Sequence, residues 1–203
     1  MSIVGLLFPS RCAGCGGLGP SPCPTCAAAL EPPPALEPPV GLDSLAALVR
    51  YDGVARALIT AVKYRNSRAS IAGLAPALAS LVAADLSGAV VTWAPTTRAR
   101  ARHRGFDQAE LLARAVARPL GAPVRRCLIR RAGAHQTGLG ADERRSGPRF
   151  VAAGAVPRSV LVVDDVCTTG ATLSAAAEAL RDGGATSVHA LVLARTPARE
   201  ARR

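Results

Sequence analysis

Two adjacent aspartates, Asp164 and Asp165, follow a β-branched run and precede a turn rich in threonine and glycine. Carboxylates accept hydrogen bonds strongly, so the hydroxyls of a sugar diol are natural partners, with a divalent cation as the alternative ligand. Thr168, Thr169 and Thr172 add hydroxyl donors, and a turn leading into a helix presents backbone N–H groups to a phosphate. A diol beside a phosphate indicates a ribose 5-phosphate ligand. The structural alternative is an aspartate cap on a threonine-rich helix start.

The elements that must position these residues are the clearest in the sequence. Ser159 to Val163 is a continuous apolar run that predicts a buried strand ending at Asp164. Thr172 to Arg181 predicts a helix with Leu173, Ala176, Ala177 and Leu180 facing inward, and Gly183-Gly184 ends it. Ligands of open α/β sheets bind at the carboxyl ends of strands, which is where this order places the two acids.

Four cysteines near the start form a second group with chemical potential. Cys12 and Cys15 make one Cys-x2-Cys pair, and Cys23 and Cys26 make another. Zinc favours four thiolates in a tetrahedron, and each pair places two sulfurs on one ion. We therefore predict structural zinc, with an iron centre or a redox pair as alternatives. So small a module buries little, so metal binding would supply its folding free energy.

A proline-rich stretch separates this cysteine group from the rest of the chain. Five of the nine residues from Glu31 to Pro39 are proline, which is typical of a stiff, extended spacer. We predict a zinc-binding four-cysteine module over residues 1–30, a linker over 31–42 and a larger α/β domain over 43–203.

Strands and helices alternate in the predicted larger domain. Alternation of this kind favours a mostly parallel sheet flanked by helices. Residues 132–148 are polar and without periodicity, which predicts a long loop. The remaining predicted elements are Leu45–Tyr51 (a strand or the lead into a helix), Ala55–Tyr64 and Ser70–Ala84 (helices), Ala89–Trp93 (strand), Asp107–Arg118 (helix), Cys127–Ile129 and Val188–Leu193 (strands).

The charge balance is strongly basic. The 203 residues carry a formal net charge of +11, which favours polyanionic partners, although an arginine-rich background composition explains it as well. Arg98, Arg100, Arg102 and Arg104 alternate and could form a basic strip for diphosphate or single-stranded DNA, or a solvated turn. No apolar run reaches the roughly 20 residues of a membrane span. The start lacks a basic signal-peptide region, so we expect a cytoplasmic protein without membrane insertion.

The stretch Val-Val-Asp-Asp-Val-Cys-Thr-Thr-Gly-Ala-Thr, ending at Thr172, resembles the phosphoribosyl-diphosphate (PRPP) motif of type I phosphoribosyltransferases. The resemblance implies that Asp164 and Asp165 hold the ribose hydroxyls and that Thr168, Thr169, Gly170, Ala171 and Thr172 hold the 5-phosphate. It implies a diphosphate-binding loop at Pro95 and Thr96, a mobile loop over residues 131–147 carrying Arg144, and Mg2+ bound with PRPP. Catalysis would then run through Asp164, Asp165 and Arg144.

The zinc module ahead of this domain resembles ComF/GntX-like competence proteins. Lys63-Tyr64 is similar to that family's Lys-Tyr element, and Arg104-Gly-Phe-Asp107-Gln108 is similar to its Arg-Gly-Phe-Asn-Gln, with aspartate replacing asparagine. Gln136 and Glu143-Arg144-Arg145 resemble its mobile-loop pattern, although the asparagine that usually follows is absent. On this basis Lys63 and Arg104 join the expected PRPP-binding residues.

Two functions follow from these patterns. The first is a phosphoribosyltransferase that binds PRPP with Mg2+ and transfers phosphoribosyl to an unknown acceptor, linked by resemblance to DNA uptake in competence. The second is a non-catalytic PRPP sensor that engages single-stranded DNA or DNA-uptake proteins. Few aromatic side chains are available for stacking on bases, which argues against strong autonomous binding of single strands. Such sheet domains often pair, so an oligomer is compatible with both.

Overall fold

The computed structural model describes residues 11–64, 68–82, 86, 88–131 and 148–197. A short helix, α1, lies in the cysteine-rich segment, and the remaining elements follow the proline-rich stretch. In chain order they are α1 (Pro24–Ala28), β1 (Ser44–Arg50), α2 (Gly53–Tyr64), α3 (Arg68–Ala79), β2 (Val90–Trp93), α4 (Arg98–Arg104), α5 (Gln108–Leu120), β3 (Leu128–Arg131), β4 (Arg149–Ala152), β5 (Ser159–Cys167), α6 (Ala171–Asp182) and β6 (Ser187–Arg195).

The main sheet has four parallel strands in the order β1-β6-β5-β2. Its two central strands are the longest, at nine residues each, and pair from Ser159–Ser187 to Cys167–Arg195. Beyond β2, the Val91 N–H donates to Pro123 O, so the chain after α5 extends this edge of the sheet. Strands β3 and β4 form a separate antiparallel pair. The mostly parallel α/β fold predicted from the sequence is confirmed.

Alternate residues of the central strands build two cores, one on each face of the sheet. Val160 and Val162 of β5 face α6 and the β3–β4 pair. Leu161 and Val163 face the other layer, where α5 packs with α3. All four valine and leucine side chains are nearly or fully buried, and each contributes about 1.5–3 kcal/mol by leaving water. Because both faces are covered, these strands are apolar without alternation.

Two helices follow their predicted patterns closely. In α6, the inward set Leu173, Ala176, Ala177 and Leu180 is buried as expected. Helix α5 continues past the predicted end at Arg118, through Pro119, to Leu120. The capping residue Gly121 has a φ of 61°, the left-handed conformation that favours glycine. None of the helices in the described part of the chain is long and apolar enough to cross a bilayer.

Three details differ from the sequence-based expectations. Helix α3 ends at Ala79, before the predicted Ala84. Residues Arg98–Arg104 are helical, so Arg100 points about 160° away from Arg98 and Arg102, which share one face, and the alternate arginines do not form one strip. Strand β5 does not end at Asp164; it continues to Cys167 because β6 also continues and pairs with it, Cys167 opposite Arg195.

The proline-rich segment lies against the sheet domain. The Arg195 guanidinium, at the end of β6, donates from Nη1 to Leu36 O at 2.7 Å and from Nη2 to Glu37 O. Glu31 forms an ion pair with Arg50 at 3.0 Å. The segment is therefore held by hydrogen bonds to its carbonyl groups and by an ion pair, and it does not extend freely. Its last residue, Pro39, lies against Gly170 in the turn before α6.

Candidate functional site

A polar cavity of about 200 Å³ opens where β2 and β5 end at their carboxyl edge. Several predicted site residues meet there although 68 or more positions separate their segments in the chain. The parallel arrangement explains this, because adjacent parallel strands end on the same side of the sheet. The polar side chains and loop residues that line it are Pro95, Thr96, Arg100, Asp107, Gln108, Arg130, Asp164, Asp165 and Thr172.

The two acids lie near the carboxyl end of strand β5, where it is still paired with β6, rather than in a free loop. Asp164 stands opposite Val192 of β6, and its Oδ1 accepts the N–H of Asp165 at 2.8 Å. Both acids are half-buried and line the cavity. Carboxylates held on a rigid strand can bind hydroxyls or a cation with little loss of conformational freedom on binding.

Asp107 joins the β2 side of the cavity to α5. Its Oδ1 accepts the Ala109 N–H at 3.1 Å and caps the helix, while its Oδ2 accepts the Thr96 N–H at 2.9 Å. Burial raises the pKa of this carboxyl above its ordinary value, against the lowering effect of those N–H donors. A carboxylate can accept both bonds, whereas an asparagine at this position has only one acceptor oxygen. The aspartate thus fixes the Pro95-Thr96 turn beside the helix start.

Two arginines bring positive charge to the same cavity. Arg130 donates from Nη1 to Pro95 O at 3.3 Å, and its guanidinium lies 5.5 Å from the centre of the Phe150 ring. Burial and the nearby Arg100 lower the pKa of Arg130, while Asp164 and Asp107 oppose this. Arg130 was not among the predicted site residues, because it reaches this cavity from β3 only through tertiary packing. An anionic group bound here would relieve the repulsion between the two guanidinium groups.

Residues of the threonine-glycine turn line two different cavities. Thr172 lines the acid cavity, whereas Thr168, Thr169 and Gly170 line a neighbouring cavity of about 550 Å³ with Pro39 and Arg195. Helix α6 begins at Ala171 after Gly170, whose φ is 81° and which has no side chain to cap the helix. The Ala171 N–H donates to Thr169 Oγ1 at 3.4 Å, and the start of a helix is a position where backbone N–H groups can bind an anion. Ala171 itself is exposed.

Gly170 is a position where a side chain should be costly. A Cβ there would lie 2.7 Å from Pro39 Cγ and 2.9 Å from Pro39 Cβ, and φ lies in the left-handed region. We expect Gly170→Ala to destabilise the protein by about 1–3 kcal/mol and to lower its Tm by several degrees, as measured by calorimetry.

Gly154→Ala is the matched control for this variant. Gly154 also has positive φ, 96°, but nothing lies within 4 Å of its would-be Cβ. Gly154→Ala should therefore lose stability through backbone strain alone. The additional loss of stability in Gly170→Ala then measures the clash with Pro39. Adding Pro39→Ala should recover part of that excess. Equal losses in the two glycine variants would contradict the close approach.

Three predicted site residues cannot be placed by their side chains. Arg144 lies outside the described residues, as do the other residues assigned to the mobile loop between 132 and 147. Lys63 belongs to the last turn of α2, and Arg104 is the last residue of α4, but only the backbone of each is described.

The four N-terminal cysteines converge as their spacing predicts. Their sulfurs all lie within 4.8 Å of one another, and Cys15 Sγ is 3.8 Å from Cys23 Sγ. A tetrahedral zinc site with bonds of about 2.3 Å has edges of about 3.8 Å, so the donor set fits this ion. The Cys23 N–H donates to Cys12 Sγ at 3.3 Å and is the main reason that the pKa of Cys12 falls to about 6. Desolvation, by contrast, raises the pKa of Cys26 to about 12.

Comparison with known proteins relates the C-terminal half to one family. The family model described as "Phosphoribosyl transferase domain" matches residues 107–203. No curated protein matches the chain at a significant level.

Three solved structures are similar over about two thirds of this chain. The "allosteric regulatory enzyme of purine biosynthesis" is 23% identical, with a TM-score of 0.43, over 62% of this chain and 25% of its own. The chain thus spans a quarter of that protein's length. Purine phosphoribosyltransferase from Pyrococcus horikoshii Ot3 is 19% identical, with a TM-score of 0.37, over 63% and 74% of the two chains. Hypoxanthine phosphoribosyl transferase from Trypanosoma cruzi is 19% identical, with a TM-score of 0.38, over 67% of each chain.

Proposed function

We propose, from the match of residues 107–203 to the phosphoribosyl transferase domain model, that the protein binds PRPP with Mg2+ and transfers its phosphoribosyl group to an acceptor. The observation that carries the proposal is the meeting of Asp164, Asp165, Thr172 and the Pro95-Thr96 turn around one cavity. Two acids suit a diol, and the turn and helix start suit the phosphate groups at the two ends of the sugar.

Each part of PRPP has a proposed partner. Asp164 and Asp165 hold the ribose hydroxyls, and the turn from Thr168 to Thr172 holds the 5-phosphate. Pro95 and Thr96 hold the diphosphate, assisted by Lys63 and Arg104. Arg130 and Arg100 extend this set, because their guanidinium groups reach the cavity from the β2 side.

The residues suit a reaction that breaks the bond between the anomeric carbon and the diphosphate. Charge develops on the departing diphosphate oxygen, and cationic side chains placed before the reaction stabilise it. Asp164 and Asp165 sit on the sugar side, where a carboxylate favours the positive charge that grows on the ring. Bound Mg2+ would add charge neutralisation on the diphosphate. Arg144 is proposed to close over the same group.

By its resemblance to ComF/GntX-like proteins, we place this activity in DNA uptake during competence. The four-cysteine module, proposed as a zinc unit over residues 1–30 ahead of a linker over 31–42 and the domain over 43–203, supports that assignment. The net charge of +11 suits contact with single-stranded DNA or with DNA-uptake proteins. The alternative is the non-catalytic PRPP sensor described above.

Binding and turnover separate the enzyme from the sensor. We expect wild-type protein to bind PRPP with Mg2+ in calorimetric titration and to release diphosphate when a panel of nucleobases and amines is supplied. Arg144→Ala should abolish that release while PRPP affinity changes little, because the 5-phosphate and ribose contacts remain.

Arg158→Ala is the control, since Arg158 is exposed just before the amino end of β5, opposite the cavity. It should leave binding and turnover unchanged. PRPP affinity without turnover on any acceptor would favour the sensor, and no PRPP affinity at all would exclude both.

A further inference from the structure

Gln108, the first residue of α5, is a buried side chain without a partner. Only 4% of its surface is exposed, yet neither Oε1 nor Nε2 has a hydrogen-bond partner among the residues that the structure describes. An unpaired buried polar group costs about 1–3 kcal/mol relative to an apolar side chain of similar shape. Within the described part of the chain, Gln108 is thus a destabilising group that no other residue satisfies.

Gln108 is one of the residues that line the acid cavity, so a ligand bound in this cavity is the nearest group that could supply the missing partner. It follows Asp107 directly, and Asp107 binds the Thr96 N–H. Gln108 therefore stands on the β2 side of the cavity, with the Pro95-Thr96 turn, Arg100 and Arg130.

The donors and acceptor of the Gln108 amide limit the kinds of ligand group that it can bind. A carboxamide offers two N–H donors and one acceptor oxygen and carries no charge. The acids Asp164 and Asp165 supply acceptors on the opposite side, so donors to anionic oxygens are what this side of the cavity adds. A neutral donor contributes a directed bond to an anion without increasing the repulsion between Arg100 and Arg130.

We propose that the Gln108 carboxamide is a diphosphate-binding group, whose Nε2 donates to a diphosphate oxygen of PRPP. This inference rests on the proposed function, because it assigns a residue to the ligand proposed there. It makes Gln108 a residue that distinguishes PRPP from ribose 5-phosphate, which lacks the diphosphate.

The test measures stability and affinity together in Gln108→Leu. A ligand-binding role predicts opposite signs: Tm unchanged or raised, because an unpaired amide is removed, and affinity for PRPP lowered about tenfold to a hundredfold. Titrations with Mg2+ would use PRPP, ribose 5-phosphate and inorganic diphosphate. Affinity for diphosphate should fall with that for PRPP, while affinity for ribose 5-phosphate stays within about twofold. Gln108→Glu should weaken PRPP further, since it places a negative charge beside the diphosphate.

Val116→Ala is the control on the same helix, because Val116 is fully buried and does not line the cavity. It should lower Tm and leave all three affinities unchanged. If Gln108→Leu binds PRPP and diphosphate with wild-type affinity, the role of Gln108 is wrong, whatever the stability of the variant. The proposed function would still stand. If Gln108→Leu does not fold, Gln108→Met keeps the side-chain length and decides by the same readout. Failure of wild type to bind PRPP would remove the proposed function and this inference together.

Discussion

Replacing Asp164 and Asp165 together by asparagine should lower PRPP affinity at least about a hundredfold, because two bonds from ligand hydroxyls to carboxylates each contribute about 1.5–3 kcal/mol. Asparagine keeps the shape of each side chain, and an oxygen remains at position 164 to accept the Asp165 N–H. The fold should therefore persist while the charge is lost. Calorimetric titration of PRPP with Mg2+ measures the effect.

Asp182→Asn is the matched control for the double variant. Asp182 is an exposed aspartate at the opposite end of α6 and does not line the acid cavity. Its substitution should leave the affinity at the wild-type value. If the double variant binds PRPP as tightly as Asp182→Asn does, the two acids do not hold the ribose and the proposed site is wrong.

Removing two of the clustered thiols should abolish metal binding almost completely. Wild-type protein is expected to carry about one zinc ion per chain, and Cys15→Ser/Cys23→Ser to carry less than about a tenth of that, since two ligands cannot complete a tetrahedron. These two cysteines are the more exposed members of the cluster, so the change disturbs packing little. Elemental analysis of purified protein gives the metal content.

The two cysteines outside the cluster provide the control. Cys127 and Cys167 are buried in the sheet domain, where desolvation raises the pKa of each thiol. Cys127→Ser should leave the zinc content unchanged. In the cluster variant, amide hydrogen exchange should rise over residues 11–30 and stay low in β5 and β6, because so small a module would depend on a bound metal for folding and the strands would not. Zinc retained by the cluster variant would contradict the four-thiolate site.

The parts of the fold that local pattern specifies were predicted from the sequence. Strand β5 has a continuous apolar run and begins at the predicted Ser159, and helix α6 has an inward face at helical spacing and lies within one residue of its predicted bounds. Helix α4 was missed because its sequence, Arg-Ala-Arg-Ala-Arg-His-Arg, has no apolar face to reveal the helical period. Strand β4 was missed because it depends on pairing with β3, a partner that precedes it by about twenty residues.

The same division holds for the site. Asp164, Asp165 and Thr172 lie in one segment, where their order already suggested a diol and a phosphate. Arg130 and Gln108 reach the cavity from β3 and α5 only through tertiary packing. No pattern within their own segments distinguishes Arg130 from the other arginines of this chain, and the burial of Gln108 becomes visible only in three dimensions.

The bonds between Arg195 and the carbonyls of Leu36 and Glu37 limit how early in synthesis the proline-rich segment can dock on the sheet domain. They join residues 159 and 158 positions apart, and strand β1 pairs with β6 across a similar span. Contacts of such separation carry a high loop-closure cost and form late. During synthesis, the proline-rich segment cannot be held by Arg195 until the chain as far as Arg195 has left the ribosome. The proline-rich segment, which also approaches the turn before α6 through Pro39 and Gly170, therefore reaches its final position only after β6 has been synthesised.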